Sequence, residues 1–190
     1  MDDAAPIPAT IPGTDAMPVT GATGAAPATP PIFGAVCAGD VARGLMRLFH
    51  RQGMTSLCEV PLPNGRRADL LAICPRGRIT IVEIKVAKAD LLGDTKWPEY
   101  LDWCDHFYWG LSPTLDPEWI SGEAWQPQRC GLIVADRYDA AILRPAAEHP
   151  LPPARRRSET LRLARLAMRR NMAAFDPDTQ SYRIETDATG

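Results

Sequence analysis

The sequence is poor in the residues that most often build zinc sites and disulfide frameworks. It contains three histidines and five cysteines in 190 residues, and no two cysteines stand at CxxC spacing. An odd number of separated cysteines disfavours both a closed disulfide framework and a zinc ribbon. Three of them, Cys58, Cys74 and Cys130, stand in apolar runs, which is typical of buried thiols in a reducing compartment.

Long apolar runs and an early positive charge are also lacking. No apolar run approaches the ~20 residues that a membrane span requires. No Lys or Arg precedes Arg43, so the N-terminus lacks the positive region of a signal or transit peptide. We therefore expect a cytoplasmic protein with no membrane partner. The formal net charge is -2, so a nucleic-acid partner would have to be held by a local basic patch.

The first 36 residues differ in composition from the rest of the chain. They are rich in Ala, Pro, Thr and Gly, and their prolines leave no room for a helix or a strand ladder. We expect a disordered tail at 1–36 that acts as a spacer, although tethering of a partner is an alternative. One domain is predicted at 37–176, followed by a second tail at 177–190.

The first half of the predicted domain consists of one helix and three strands. The helix begins with Asp40 as its cap and ends at Gly53, and its apolar residues recur at i, i+4, i+7 and i+8. An Asn-Gly turn at 64–65 and a Pro-Arg-Gly turn at 75–77 separate the strands. The strands are predicted at 56–60, 67–74 and 78–86.

The second half alternates helices and shorter strands. A helical segment with a kink near Pro98 is expected, and Ser158 is the expected cap of a last helix that stops before Asp176-Pro177. The predicted helical segments are 90–104, 117–120 and 158–174, and the strands are 106–111, 131–135 and 141–143. This order predicts an α/β fold with a mixed central sheet, flanking helices and a C-terminal helix.

The third strand, RITIVEIKV at 78–86, is apolar on both faces. Such a strand is typical of the centre of a sheet that is covered on both sides. Because side chains alternate along a strand, Glu83 and Lys85 lie on the same face as Ile79 and Ile81. Two charged groups in a central strand indicate a functional reason for their presence.

Asp69 opens the preceding strand and completes a constellation with Glu83 and Lys85. A phosphodiester resists attack because its negative charge repels the nucleophile, and a divalent cation relieves this repulsion and activates a bound water. Neighbouring strands lie ~4.8 Å apart, so one carboxylate from each can hold a Mg²⁺ ion, with the carbonyl of Ile84 as a further ligand. The Lys85 ammonium would orient the attacking water or neutralise the phosphate.

A structural alternative is that these charges only form ion pairs at the margin of the sheet, with each other or with Arg67. Three features favour the functional interpretation: the ExK lies in a β-branched central strand, the aspartate opens its hairpin partner, and Glu59 stands on the strand before. Glu59 itself has three interpretations. It is a base that supports the site, a ligand of a second metal ion, or an exposed residue paired with Arg66 or Arg67.

Four short blocks carry a family resemblance. They are NGRRAD at 64–69, IVEIK at 81–85, DTKW at 94–97 with Tyr100, and CDHFY at 104–108. Together these blocks resemble the PD-(D/E)XK nuclease superfamily and, more closely, the MmcB-like family of bacterial DNA repair proteins. The resemblance covers roughly residues 40–146. In this chain Ala68 stands where the superfamily pattern has a proline before the aspartate.

The resemblance implies an αβββαβ nuclease core, a Mg²⁺ or Mn²⁺ cofactor and a role in DNA damage repair. Carried over by position, Asp69 and Glu83 are the expected metal ligands and Lys85 the catalytic lysine. In nucleases of this type the helix after the ExK often sends a polar residue towards the phosphate. Lys96 and Tyr100, which are i, i+4 neighbours, are the candidates, and Lys88 is expected in the same cleft.

A second candidate nucleic-acid surface is the last helix. Seven arginines stand between 155 and 170, opposed only by Glu159. Arg162, Arg165 and Arg169 recur at i, i+3 and i+7, and we expect them to face outward and track DNA phosphates. An ordinary solvated basic face is the alternative. The leucines expected to face inward are Leu161, Leu163 and Leu166.

These residues favour a metal-dependent DNA endonuclease of the repair machinery. A second hypothesis is a non-catalytic DNA-binding or adaptor protein that keeps the nuclease fold, and the intact Asp69, Glu83 and Lys85 argue against it. A third is an RNA-processing nuclease, because the motif alone does not separate DNA from RNA. The sequence does not specify the structure or lesion of the nucleic acid.

Overall fold

A computed structural model describes residues 36–180, which build a six-stranded sheet with its strands in chain order. The strands are β1 Thr55–Pro61, β2 Arg67–Ile73, β3 Ile79–Lys85, β4 His106–Leu111, β5 Gly131–Ala135 and β6 Ala140–Arg144. The α-helices are α1 Ala38–Arg51, α2 Lys88–Gly93 and α3 Pro153–Phe175. Short 3-10 helices span Trp97–Trp103, Pro117–Ile120, Glu123–Trp125 and Pro177–Gln180. The helix Pro177–Gln180 falls in the predicted second tail, and residues 1–35 and 181–190 of the two predicted tails lie outside the described residues.

The sheet is mixed, as the order of the elements predicted. β1, β2 and β3 form an antiparallel meander, β4 and β5 continue parallel to β3, and β6 returns antiparallel to β5. β3 therefore lies between antiparallel and parallel neighbours, and all seven of its residues are buried. Within residues 36–180 no helix is long and apolar enough to cross a membrane.

The two faces of β3 belong to two separate apolar clusters. Val82 and Ile84 pack in the cluster that contains the inward side of α1. Ile79 and Ile81 pack in the other cluster, whose aromatic centre holds Trp109 in contact with neighbouring rings. This division confirms the alternation expected from the sequence, and it places Glu83 and Lys85 on the aromatic side of the sheet.

The start of α1 differs from the prediction. Cys37, not Asp40, is the N-cap, and Asp40 occupies the third helical position, where its carboxylate accepts a hydrogen bond from the Cys37 backbone nitrogen at 3.3 Å. This hydrogen bond lowers the pKa of Asp40. An aspartate in the first turn can satisfy a free backbone donor from inside the helix as well as from the cap. The helix stops before Gly53, which adopts φ 72°, as expected.

The helical segment after β3 divides earlier than the proline suggested. Asp94 ends α2 because its Oδ1 accepts hydrogen bonds from the backbone nitrogens of Lys96 at 3.0 Å and Trp97 at 3.1 Å. Pro98 lies in the first turn of the following 3-10 helix, where a missing donor costs nothing. The break at Asp94 brings this residue under the end of β3.

α3 begins at Pro153, five residues before the predicted Ser158 cap. Pro153 suits a first helical turn, and Ser158 instead donates to the Arg155 carbonyl inside the helix at 2.9 Å. Leu163 is buried as expected, but Leu161 is 62% exposed, so its predicted inward orientation is wrong. The face of α3 that packs on the sheet is therefore narrower than the predicted face, because it includes Leu163 but not Leu161.

Asp105 joins three parts of the fold through one buried carboxylate. It accepts backbone hydrogen bonds from Ile79 at 2.7 Å and Leu151 at 2.8 Å, and Arg156 donates to both of its oxygens. The start of β3, the segment before α3 and the first turn of α3 are thereby held together. Burial alone would raise the pKa of Asp105, but the hydrogen bonds from Arg156, Ile79 and Leu151 outweigh burial and lower it.

We predict that Asp105→Asn lowers the free energy of unfolding at pH 7 by about 3–5 kcal/mol, because Arg156 loses its buried counter-charge. The folded-state pKa of Asp105 lies below its unfolded value of 3.8, so its contribution is complete above that value and is lost as the pH falls through the lower folded pKa. Urea unfolding at pH 7 and pH 3 measures both effects.

The matched control for this prediction is Asp102→Asn, an exposed aspartate three residues away, which should change stability by no more than about 0.5 kcal/mol. The deficit of Asp105→Asn should shrink at pH 3, whereas the control should stay flat. Equal unfolding midpoints for the two variants at pH 7 would show that Asp105 does not hold these elements together.

Candidate functional site

The site lies where β2 and β3 separate. Their backbone pairing ends at Leu70 and Val82, and beyond it the Asp69 Oδ2 accepts a hydrogen bond from the Ile84 backbone nitrogen at 2.7 Å. The Asp69 carboxylate thus takes the place of the next backbone hydrogen bond between β2 and β3. This arrangement holds Asp69 beside the end of β3, next to Glu83.

At this point the alternation of side chains along β1 and β2 is interrupted, so that residues two apart lie on opposite faces of the sheet. Glu59 stands across from Asp69 in the register and has φ 53°, a left-handed conformation that is uncommon outside glycine. Cys58 packs on the α1 side of the sheet, whereas Val60, two residues later, packs on the aromatic side. Side chains two residues apart in a regular strand lie on the same face of the sheet. The alternation of side chains is therefore interrupted at Glu59 and Asp69.

Glu59 forms an ion pair with Arg67 at 2.6 Å, and its side chain is 54% exposed. The pairing with an arginine, which the sequence left open as one of three interpretations, is therefore the one present. A surface ion pair of this kind contributes little to stability. The left-handed backbone, rather than the Glu59 carboxylate, is what shapes the sheet around Asp69.

Glu83 is a buried carboxylate that has only one of its two oxygens satisfied. Lys85 Nζ lies 3.3 Å from its Oε1, while its Oε2 has no hydrogen-bond partner among the described residues. Burial, followed by the negative charge of Asp69, raises the pKa of Glu83 to about 8. A buried acceptor without a donor is costly, and a bound cation would relieve both the missing contact and the repulsion.

Lys85 is surrounded by carboxylates. Its Nζ lies 2.8 Å from Asp94, 3.3 Å from Glu83 and 3.6 Å from Asp90. Burial would lower the pKa of Lys85, but the hydrogen bond to Asp94 and the nearby charges outweigh burial and raise it. The carboxylates therefore favour the ammonium form of Lys85, which can stabilise negative charge.

Asp94 is the residue of this site to which sequence reasoning gave no role. One oxygen stops α2, and the other holds Lys85. The signal was present in the Asp-Thr-Lys-Trp-Pro stretch, because an aspartate shortly before a proline is a frequent helix-start signal. That signal predicts a cap, but the contact with Lys85 depends on the tertiary fold.

A cavity of about 420 Å³ opens over Glu83 and Lys85. Lys96 and Tyr100 line it, whereas Lys88 places its ammonium 4.1 Å from the centre of the Trp119 ring. The Tyr100 hydroxyl donates to the Arg67 carbonyl at 3.2 Å, and burial raises its pKa. Tyr100 therefore keeps its proton. The other lining residues are Arg66, Ala89, Asp90, Gly93, Asp94 and Thr95.

Asp69 also lines a separate cavity of about 290 Å³ beside α1, together with Glu59 and Ile84. Within the described residues, no group of three or more His, Cys, Asp or Glu side chains is arranged to hold a metal ion. The donors that fit a hard cation are the Asp69 and Glu83 carboxylates and the Ile84 carbonyl. Mg²⁺ suits this small set, because it commonly takes one or two carboxylates and keeps several waters.

The arginines of α3 do not form one outward stripe. Arg162 is half-buried, pairs with Glu159 at 2.6 Å and donates to the Pro61 carbonyl. Arg170 donates to the carbonyls of Cys58 at 2.5 Å and Glu59 at 2.6 Å. These two arginines cover the edge of β1 and blunt it against other strands. The outward orientation expected for Arg162 is therefore wrong, whereas Arg165 and Arg169 are exposed.

We predict that Glu83→Gln stabilises the metal-free protein increasingly as the pH rises. Glu83 ionises near 4.5 when unfolded and near 8 when folded, so folding takes up a proton between these values and wild-type stability falls from pH 5 to pH 8. Glutamine does not titrate, and we expect it to gain about 1–3 kcal/mol at pH 8. Urea unfolding in EDTA, with the exposed Glu118→Gln as control, measures this; a difference that does not change with pH would contradict it.

We predict that Asp94→Asn lowers the pKa of Lys85 and destabilises the fold by about 1.5–3 kcal/mol, because a charge-assisted hydrogen bond is lost. The amide oxygen can keep the two backbone hydrogen bonds, and the amide NH2 then faces the Lys85 ammonium, so Lys85 loses both a negative charge and an acceptor. Asp90, which is 57% exposed at the longer distance, supplies the control Asp90→Asn. Nitrogen NMR measures the pKa of Lys85, and thermal unfolding measures the stability of the two variants. If Asp94→Asn and Asp90→Asn gave the same pKa and the same stability, Asp94 would not be the residue that holds Lys85.

Comparisons with known proteins agree with this architecture. The family model for MmcB-like DNA repair proteins matches residues 35–178. The SPO1766 protein of unknown function from Silicibacter pomeroyi is 36% identical, with 78% of this chain and 96% of that chain covered and a TM-score of 0.68. No curated protein matches the sequence. A match over most of the chain confirms the resemblance found in the sequence: the protein belongs to the MmcB-like family of DNA repair proteins.

Proposed function

We propose that the protein is a metal-dependent nuclease that hydrolyses phosphodiester bonds in DNA during repair. The observation that carries the proposal is the unsatisfied Glu83 Oε2, buried beside the Asp69 carboxylate at the open end of the sheet. A folded protein tolerates such a repulsive, half-satisfied pair where function requires it. Membership of a DNA repair family supports DNA as the substrate.

Asp69, Glu83 and the Ile84 carbonyl would hold a Mg²⁺ or Mn²⁺ ion. When bound, the ion would neutralise the phosphate and lower the pKa of a bound water. Lys85, held as an ammonium by Asp94, would donate hydrogen bonds to the phosphate as negative charge builds in the transition state. Its geometry is fixed before substrate arrives, so no reorganisation is needed at that moment.

The cavity over Lys85 would receive the scissile phosphate. Lys96 is exposed at its rim and would contact the strand, and Tyr100 would keep its hydroxyl as a donor. Arg165 and Arg169 face outward on α3 and would add sequence-independent phosphate contacts. Lys88, over Trp119, would act at the margin of this surface.

One observation favours a second candidate, a non-catalytic DNA-binding protein that keeps the fold. The Lys85 ammonium already has three carboxylates within 3.6 Å, so part of its charge is neutralised before any phosphate binds. In that case the site would hold DNA ends or a metal without turnover. Cleavage and binding assays on the same samples separate the two functions.

We predict that Asp69→Asn and Glu83→Gln each reduce cleavage by about 100-fold or more, since the metal and its activated water are lost. Asp94→Asn should reduce it by about 10–100-fold through the misplaced Lys85, and Asp102→Asn should cut like wild type. The assay uses Mg²⁺ or Mn²⁺ with single-stranded, duplex, flap and lesion-bearing DNA, and with matched RNA. Wild-type rates in either carboxylate variant would show that the site is elsewhere. Tight DNA binding without cleavage on every substrate would favour the non-catalytic candidate.

A further inference from the structure

α3 carries an apolar seam on the side that faces away from the sheet. Its members follow one another at alternating steps of three and four residues, which is the spacing of a helix that packs along another helix. The apolar members are Leu161, Ala164, Met168 and Phe175, with Met172 beside them, and the polar Asn171 occupies the remaining position of the series. Phe175 is 92% exposed and Met168 66% exposed, so the seam lies open over about 21 Å of helix.

Within residues 36–180 the fold does not use this seam. α3 contacts the rest of the chain through its opposite face, where Leu163 is buried, Leu166 packs against the core, and Arg162 and Arg170 bind the edge of β1. Exposed apolar side chains that form a continuous row, rather than standing singly, mark an interaction surface. Methionines suit such a surface because they adapt to the shape of a partner.

An apolar groove extends the seam towards the sheet. Its volume is about 270 Å³, and its walls are Leu57 and Ile73 from the sheet and Leu163, Ala164 and Ala167 from α3. Ala164 is three residues from Leu161 and four from Met168, so it belongs to the seam as well as to the groove. A helix that lies along the seam can therefore insert side chains between α3 and β1.

The charges around the seam define what can occupy it. Arg157 stands one turn before Leu161, at the N-terminal end of the seam, and Arg165 lies beside the seam; both are exposed. Glu159, the one acidic residue of α3, is buried against Arg162. The outward side of α3 thus presents basic residues and no carboxylate. Two copies of α3 that paired through this seam would bring like charges together, which disfavours self-association.

We propose that α3 is a docking helix for an acidic amphipathic helix of a partner protein. The apolar side of the partner helix covers the seam and fills the groove, and its flanking Glu or Asp residues pair with Arg157 and Arg165. A docked partner helix therefore competes with DNA phosphates for Arg165, and the inward face of α3 supports the β1 edge. The docking surface is independent of the metal site.

The probe is a synthetic 21-residue helical peptide with Leu at the seam positions and Glu on both flanks. The full-length protein should bind it in fluorescence anisotropy at physiological salt, and Met168→Glu should weaken binding by about 10-fold or more. Leu143→Glu, a control at an apolar side chain on β6 that is 54% exposed, should leave binding unchanged. Two peptide controls keep the same seam with Lys flanks, or the same composition with the seam scrambled, and neither should bind.

Several results would overturn the proposal. They are failure of the protein to bind the Glu-flanked peptide, equal affinity for either control peptide, or equal binding by Met168→Glu when its thermal unfolding matches wild type. Sedimentation that shows a dimer broken by Met168→Glu would make a second copy the occupant instead. Binding to phosphatidylglycerol vesicles that Met168→Glu abolishes would make a lipid surface the occupant.

Discussion

Burial of the whole of β3 is the constraint on which the site depends. β3 is covered on both faces, and only 9% of the Glu83 side chain and 5% of the Lys85 side chain are exposed at the cavity, so each charge needs a partner in the protein. Asp94 supplies the partner of Lys85. Nothing among the described residues supplies one for the second oxygen of Glu83, and that imbalance is what makes the end of β3 suited to a cation.

The strand core was predictable from the sequence because its signal is local. Alternation along 79–85 predicts that Ile79 and Ile81 lie on the face opposite Val82 and Ile84. The Asn-Gly and Pro-Arg-Gly turns mark the boundaries between the first three strands. The family match confirms the resemblance that these blocks carried.

Three features escaped sequence reasoning because each depends on distant parts of the chain. The ion pair between Asp94 and Lys85 needs the break after α2, and the left-handed backbone at Glu59 is held by Arg170 from α3. The spacing of the arginines in α3 indicated a positively charged helix but did not indicate which arginine side chains point towards the sheet. Arg162 turned inward because edge-strand carbonyls without donors offered it a partner, an interaction that no helical periodicity encodes.

The most direct test of the account is a calorimetric titration of the full-length protein with Mn²⁺ across pH. A cation at Asp69 and Glu83 must displace the proton that Glu83 holds up to about pH 8, so metal binding should release a proton and tighten as the pH rises from 6 to 8. Glu83→Gln should abolish the heat of binding. Absence of binding, or binding that Glu83→Gln leaves unchanged, would contradict the account.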